Sequence, residues 1–305
     1  MSKVLVLGAT GMLGSMVLDH LSKTPGFTVT GTARSGWLRE RFQAIYSQVR
    51  WADFEYTESG HSFTVLDHQD WIINAIGITK PLIRDDHAEE IRRAIQVNSV
   101  LPDELSRAAE ARGIRVLQIA TDCVYSGKLG AYTEDSPHDA LDVYGKTKSL
   151  GEVYHKNVSH LRCSIIGPEP KDFKFLIEWF RRQPRGARVN GFTNHRWNGI
   201  TTLQFARLCE GIIRHNLDLP HLQHIIPVDS LTKAQMLHEF AAAYERSDIQ
   251  IADVEAATVI DRTLATKDPA LNSSLWKAAG YDRPPTVAAM IQEAAQFRYS
   301  AATVA

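Results

Sequence analysis

Residues 4–7 of this chain are an aliphatic, β-branched run, and they lead directly into the glycine series Gly8, Gly11 and Gly14 of "GATGMLG". Behind the glycines, Leu13, Val17 and Leu21 recur near four-residue spacing. A short apolar run closed by glycine predicts a strand buried on both faces. The spacing behind it predicts an amphipathic helix over residues 12–22. A buried strand turning through glycines into a helix is the opening unit of a doubly wound α/β sheet, and in that setting each glycine has a physical task. One makes the tight turn, one lets the backbone approach a pyrophosphate, and one lets helix and strand pack closely. The helix N-terminus adds unpaired N–H groups and the positive end of its dipole. Gly8, Gly11 and Gly14, with Thr10, Met12 and Leu13 between them, are therefore candidate dinucleotide contacts. An ordinary strand-to-helix turn is the competing explanation.

Further along, strand signals occur at residues 27–32, weakly at 49–54, and strongly at 71–77 ("WIINAIG") and 115–120 ("RVLQIA"). Helical patterns cover residues 86–112, interrupted by Pro102 and closed by Gly113, and residues 143–157, which lead to a strand at 161–166. Repeated strand-helix units with right-handed crossovers predict a parallel sheet covered on both faces, a Rossmann architecture. Beyond Gly167, Pro168, Pro170 and Pro184 break the chain, Trp179 and Phe180 fall on a helix, and "RVNGFTNHRWNG" is loop-rich. This predicts a smaller substrate-binding lobe. A helix at 203–215 and a strand at 224–228 are expected to return to the main sheet. The expected division is residues 1–166 as the dinucleotide-binding domain, with 201–229 returning to it, and 167–200 with 230–305 as the substrate-binding lobe.

With 34 Lys+Arg against 35 Asp+Glu in 305 residues, no basic field points to nucleic acid. The three cysteines, Cys123, Cys163 and Cys209, lack CxxC spacing and are expected as buried small apolar residues in a reducing compartment. The N-terminus enters the first strand with no charged leader and cleavage site, and no window has the ~18 apolar residues of a membrane span. A soluble, cytoplasmic protein without membrane partners is expected. HExxH and GxSxG are absent and the histidines have no metal-ligand spacing, so no metal site is expected.

The second strand ends "VTGTARSG", with no acid to meet a ribose 2′-hydroxyl. Arg34 stands where a guanidinium can pair with a 2′-phosphate, and Ser35 can add a hydrogen bond. NADPH is the expected cofactor, with NADH as the alternative; Arg34 stacking on adenine or facing water is the bland reading. At the ends of later strands Asp53, Phe54, Ala75, Ile76 and Gly77 are candidate cofactor contacts. Asn98 joins them, although it and Asn74 can equally be packing residues that satisfy backbone groups. Tyr144 and Lys148 in "YGKTK" are the only Tyr-xxx-Lys match in the chain and project from one helix face. A ketone reduced by hydride needs a proton for the forming alkoxide, and a nearby ammonium is expected to lower the phenol's pKa for that task. Thr121, at the carboxyl end of a buried strand, can orient the carbonyl. Thr121, Tyr144 and Lys148 are the candidate catalytic residues, the last two also touching the cofactor.

In their order, "GATGMLG", "NAIG", "VNS", "IATDCVYSG", "DVYGKTKSLGE" and "LRCSIIG" resemble the extended short-chain dehydrogenase/reductases, and within them the dTDP-4-dehydrorhamnose reductase family. The resemblance covers the first two-thirds of the chain. It implies reduction of a 4-keto group on a nucleotide-activated 6-deoxysugar for surface polysaccharide, with roles for Thr121, Tyr144, Lys148 and the glycine loop as above. Related nucleotide-sugar dehydratases would carry Thr-Asp-Glu where this chain has Thr121, Asp122, Cys123, which favours a reductase. Family reductases commonly carry "TDYVF" where this chain has "TDCVY", and the segment from Ala52 to Trp71 is short for a full unit, so a helix is expected to be missing there. In the weakly matching lobe, "FTNHRWNGITT", residues 172–182 and Asp261, Arg262 and Thr263 are expected to face the substrate. Trp197 is a candidate stacking surface or lobe core, and Arg262 a candidate phosphate partner. An epimerase that retains its cofactor and a cofactor-binding regulatory subunit are the alternative functions, and a homodimer is compatible with the resemblance.

Overall fold

The computed structural model describes residues 1–34, 36–57 and 62–303. Its first strand, β1 (Ser2–Leu7), sends Val4 and Val6 into one apolar core and Leu5 and Leu7 into another. That division follows from the alternation of side chains along a strand that is covered on both faces. The chain continues through α1 (Met12–Ser22), β2 (Phe27–Ala33), α2 (Gly36–Ile45) and β3 (Arg50–Asp53). It then makes β4 (Trp71–Asn74), α3 (Ala88–Ile95), α4 (Leu101–Glu110), β5 (Arg115–Thr121), α5 (Val143–Leu150) and β6 (Val158–Cys163). Next come β7 (Ile165–Ile166), α6 (Leu176–Arg181), β8 (Arg188–Phe192), β9 (His195–Trp197), β10 (Ile200–Thr201), α7 (Thr202–Arg214) and β11 (Leu222–His224).

Among the described residues the main sheet has seven strands in the order β11-β6-β5-β4-β1-β2-β3. All its pairings are parallel. The α/β doubly wound sheet expected from the sequence is the fold observed. Strand order reverses between β1 and β4, and in open parallel sheets a crevice forms outside the carboxyl ends of the strands at such a reversal. Gly8 follows β1 and Ala75 follows β4, so the two loops that bound this crevice are the ones with glycine and small residues.

Several boundaries differ from the sequence expectation. Residues 86–112 form two helices joined by a π-helical turn at Gln96–Val100, and Pro102 lies in the first turn of α4, where its missing N–H costs nothing. Gly113 sits beyond α4 with φ +69°, as expected of a residue past a helix end. The helix expected over 143–157 stops at Leu150. The strand expected at 161–166 is β6 plus the two-residue β7, and the returning strand is 222–224 rather than 224–228. α2 was not foreseen: Leu38 and Phe42 are its only described buried residues, too few to give a clear periodicity. Between β3 and β4 the described residues hold one 3-10 turn, Thr64–Leu66, and no α-helix.

The rest of the chain comprises β12 (Leu231–Thr232), α8 (Lys233–Ala243), β13 (Gln250–Val254), β14 (Ile260–Asp261), α9 (Pro269–Ala278) and α10 (Val287–Gln296). Small sheets form from β8 with β13 and from β9 with β12 and β14. The segment after α10 returns to α1. There Asp19, fully buried, accepts from Lys23 Nζ at 2.6 Å, Tyr46 Oη at 2.7 Å and Ser300 N at 3.1 Å, while Tyr299 Oη lies 2.6 Å from Ser15 Oγ. A buried carboxylate is tolerated when its lone pairs are matched in this way.

On β6 the fully buried Arg162 donates to Tyr125 Oη at 2.6 Å and pairs with Glu152. His224 Nε2 and His138 Nε2 each lie 2.9 Å from its guanidinium. Because a guanidinium can only donate, both rings must accept and so are neutral. Burial, followed by the charge of Arg162, holds His224 down at about 4.

Candidate active site

The glycine loop is built by close approach. Gly8 has φ +74°, open to glycine but strained for other residues. A Cβ on Gly14 would stand 2.2 Å from the Gly8 carbonyl oxygen, so only glycine lets α1 come down on β1 here. Gly11 caps α1 with extended backbone and no side-chain cap, which leaves the first-turn N–H groups to whatever occupies the crevice. The Gly8 N–H is held by Thr32 Oγ1 at 3.1 Å, a contact from β2 that the alternation in "VTGTA" did not single out.

Two cavities meet over this loop. One, of about 280 Å³, is lined by Gly8, Thr10, Gly11, Arg34, Phe54 and Tyr56. The other, of about 370 Å³, takes in Gly11, Met12, Leu13, Thr121, Tyr144 and Lys148. Ala75, Ile76 and Gly77 line both. The combined groove has a backbone cradle at its middle, a guanidinium at one end and a phenol, an ammonium and a hydroxyl at the other. That donor set fits a nicotinamide dinucleotide laid along the crevice.

Two sequence candidates lie away from it. Asp53 is exposed and paired with Arg39 at 2.8 Å. Asn98 is buried in the π-helical turn, its Oδ1 accepting from Ile78 N at 2.9 Å and its Nδ2 donating to Ile78 O at 2.9 Å and Thr147 Oγ1 at 3.2 Å. It braces the loop after β4 against α5. Asn74 likewise donates to Gln118 Oε1 and accepts from Ile76 N. Ser35 lies outside the described residues.

Thr121 ends β5, with its Oγ1 accepting from Cys123 N at 3.1 Å. Asp142 caps α5 by accepting from Gly145 N at 2.8 Å. A Cβ on Gly145 would fall 2.5 Å from the Cys123 carbonyl oxygen. This close seating of α5 on the turn after β5 brings the Tyr144 phenol close to Thr121. Burial pushes the Tyr144 phenol up, Cys123 and Asp122 add to the effect, and the Thr121 contact opposes it. The expected lowering by Lys148 is not found. The Lys148 ammonium is itself buried, which lowers its pKa, and it donates to Ile119 O at 3.4 Å.

Asp122, 4% exposed, also faces the larger cavity, and burial raises its pKa while Arg262 opposes. Arg262 Nε donates to Tyr125 O at 3.1 Å. Trp197 is buried and donates to Ser164 Oγ at 2.7 Å, so it is lobe core and offers no face for stacking. Cys163 and Cys209 are buried as expected, but Cys123 is only partly so and forms cavity wall, its thiol pushed up to about 12 by burial and Asp122. The sequence also gave no notice that Lys80, Leu82 and residues 169–171 would close the cavities, while Asp172, expected to face the substrate, lines them too. Among the described residues no His, Cys, Asp or Glu cluster is arranged to hold a metal ion, and no helix is long and apolar enough to cross a membrane.

A family model described as the RmlD substrate binding domain matches residues 2–190. The chain is 32% identical over 149 residues to a dTDP-4-dehydrorhamnose reductase of Streptomyces griseus, covering 48% of this chain and 43% of that protein. It is 29% identical over 150 residues to methionine adenosyltransferase 2 subunit beta of Mus musculus, covering 49% and 41%. The matched segment thus spans less than half of either relative. A crystal structure of dTDP-4-dehydrorhamnose reductase from Bacillus anthracis in complex with NADP superposes with a TM-score of 0.69 at 16% identity, covering 96% of this chain and 98% of that one.

Proposed function

The chain belongs to the RmlD substrate binding domain family, within the extended short-chain dehydrogenase/reductases, and from that premise we propose that it reduces the 4-keto group of a nucleotide-activated 6-deoxysugar with NADPH. The product would serve surface polysaccharide synthesis. The observation that carries the reading is that Thr121, Tyr144 and Lys148 line one cavity together with Gly11, Met12 and Leu13 of the glycine loop.

Residues 8–14 would hold the pyrophosphate, Arg34 the 2′-phosphate, and Ala75, Ile76 and Gly77 the floor between the two halves. A nicotinamide held there would supply the hydride that adds to the carbonyl carbon. Tyr144, its phenol raised by burial, is fully protonated at neutral pH and so has a proton to give to the carbonyl oxygen. The Thr121 hydroxyl, beside the same phenol, would orient that oxygen. Lys148, one turn along the same helix face and buried, would supply the positive charge that the phenolate left on Tyr144 needs. Cys123, a neutral thiol, stands where an elimination would require a carboxylate.

Residues 1–166 with 201–229 are read as the dinucleotide-binding part, and 167–200 with 230–305 as the substrate-binding lobe, in a protein that can pair as a homodimer. A second reading, a dinucleotide-binding regulatory subunit, is favoured by the similarity to the mouse adenosyltransferase subunit. One assay separates the two: loss of NADPH absorbance with dTDP-, GDP- and UDP-linked 4-keto-6-deoxyhexoses. Turnover that falls by roughly 10²-fold or more in Tyr144→Phe, with NADPH affinity kept, is the expected result. NADPH binding without turnover of any of the sugars would move the assignment to the regulatory reading.

A further inference from the structure

Lys171 and Asp172 line both cavities of the groove. They stand on an arch, residues 169–175, that crosses from the end of β7 to α6 over the point where the cavities meet. The arch is held from both sides. The buried carboxylate of Glu169 accepts from Phe175 N at 2.6 Å, and the Arg182 guanidinium lies 3.3 Å from the centre of the Phe173 ring. Between these anchors Asp172 and Phe173 take φ of +66° and +50°, values that side-chain-bearing residues rarely adopt. Backbone held in such a conformation by its surroundings presents one side chain in one place.

That side chain is Lys171. It is half-buried in the groove, and its ammonium has no hydrogen-bond or ion-pair partner among the described residues. Burial lowers its pKa, as does the nearby Arg34 guanidinium, while the exposed carboxylate of Asp172 opposes them without bonding the ammonium, so two cations share this part of the groove with one solvated acid. Arg93 lines the same cavity. An ammonium that only an exposed acid offsets, in a cavity shared with two guanidinium groups, favours a further anion. Gly11, at the amino end of α1, is like Lys171 common to both cavities.

We propose that the arch at residues 169–175 is a preformed clamp whose Lys171 binds the pyrophosphate of the dinucleotide from the side opposite the glycine loop. The proposal rests on the dinucleotide reading above. It assigns the ammonium to the pyrophosphate, common to NADPH and NADH, and leaves the 2′-phosphate to Arg34.

Dissociation constants for NADPH and for NADH, from titration of cofactor fluorescence at two salt concentrations, test it. Lys171→Met is expected to weaken both cofactors by about tenfold. It should also flatten the salt dependence of binding, while Lys171→Arg keeps affinity within about threefold. A urea midpoint equal to that of the unaltered protein shows that the variant is folded; if it is not, the Arg variant and the salt dependence of the unaltered protein carry the test. Unchanged affinity in Lys171→Met overturns the proposal. A loss confined to NADPH also overturns it, since the ammonium would then serve the 2′-phosphate. Absence of binding by the unaltered protein overturns the dinucleotide reading, and this one with it.

Discussion

Replacing Gly14 by alanine and Gly11 by alanine, one methyl each and one helical turn apart, should have opposite signatures. At Gly14 the added carbon would sit 2.2 Å from the Gly8 carbonyl oxygen and 2.7 Å from its carbon. Carbon contacts are comfortable at ~3.5 Å, so α1 or the loop must retreat by more than ~1 Å. The obstacle is backbone, and that backbone is fixed: Thr32 holds the Gly8 N–H, and Gly11 N donates to Gly8 O at 3.0 Å. Overpacking of this kind costs about 1–3 kcal/mol, and one disrupted hydrogen bond adds about 1 kcal/mol. A total of about 2–4 kcal/mol corresponds to a drop in Tm of roughly 3–6 °C. At Gly11 the nearest atom to the added carbon is 3.5 Å away and the backbone is already extended, so stability should change by less than about 1 kcal/mol. That methyl instead enters both cavities at the cofactor cradle. NADPH affinity should fall tenfold or more, about 1.4 kcal/mol. Urea unfolding and NADPH titration on both variants give the four numbers. A Gly14→Ala protein as stable as the parent, or a folded Gly11→Ala protein that binds NADPH normally, would refute the close-approach account of the loop.

Buried histidines make stability depend on pH in a defined window. Burial holds His160 down at about 3 and His224 at about 4, both below the unfolded value of about 6.5. The unfolded chain therefore binds more protons, and the stabilisation, full above pH ~6.5, is lost as pH falls toward 4, by a few kcal/mol. Urea midpoints that stay level from pH 7 to 4.5 would contradict this. Arg162→Met strands the Glu152 carboxylate in the interior and should cost about 3–5 kcal/mol of unfolding free energy. Adding Glu152→Gln should recover part of that, and a cost under about 1 kcal/mol for the single change would show that the pair is not buried as described. Arg34→Ala should lower the preference for NADPH over NADH by about tenfold or more; an unchanged ratio of kcat/KM values would remove Arg34 from the 2′-phosphate.

The part of the fold legible in the sequence is the part whose signals are dense. β1, the glycine loop and α1 overlap in a short stretch where turn chemistry and periodicity agree. β4 and β5 are apolar runs that only a sheet covered on both faces can bury. Tyr144 and Lys148 were legible as a pair because helical spacing alone puts them on one face. Less legible was whatever depends on contacts distant in sequence. β9, β10, β12 and β14 have two or three residues each, too short for alternation to register. Asp53 was named from its place at a strand end, but the side chain turns out to Arg39. The shift of Tyr144 depends on how deeply α5 is seated, which Gly145 governs through contacts that no local pattern encodes. Lys171 follows two prolines in a stretch with no period, and only the arch brings it over the groove.

Ser15 and Tyr299, whose hydroxyls touch beside the glycine loop, are 284 positions apart. Ser15 Oγ in turn donates to the Gly11 carbonyl at 2.5 Å, so the cradle is underpinned by residues a ribosome makes near the close of the described chain. A nascent polypeptide thus makes this loop long before α10 but can seat it fully only after α10 has been translated. Proteolytic trimming behind Gln296 should accordingly be felt at the opposite terminus, as a loosened grip on the coenzyme rather than as a local loss.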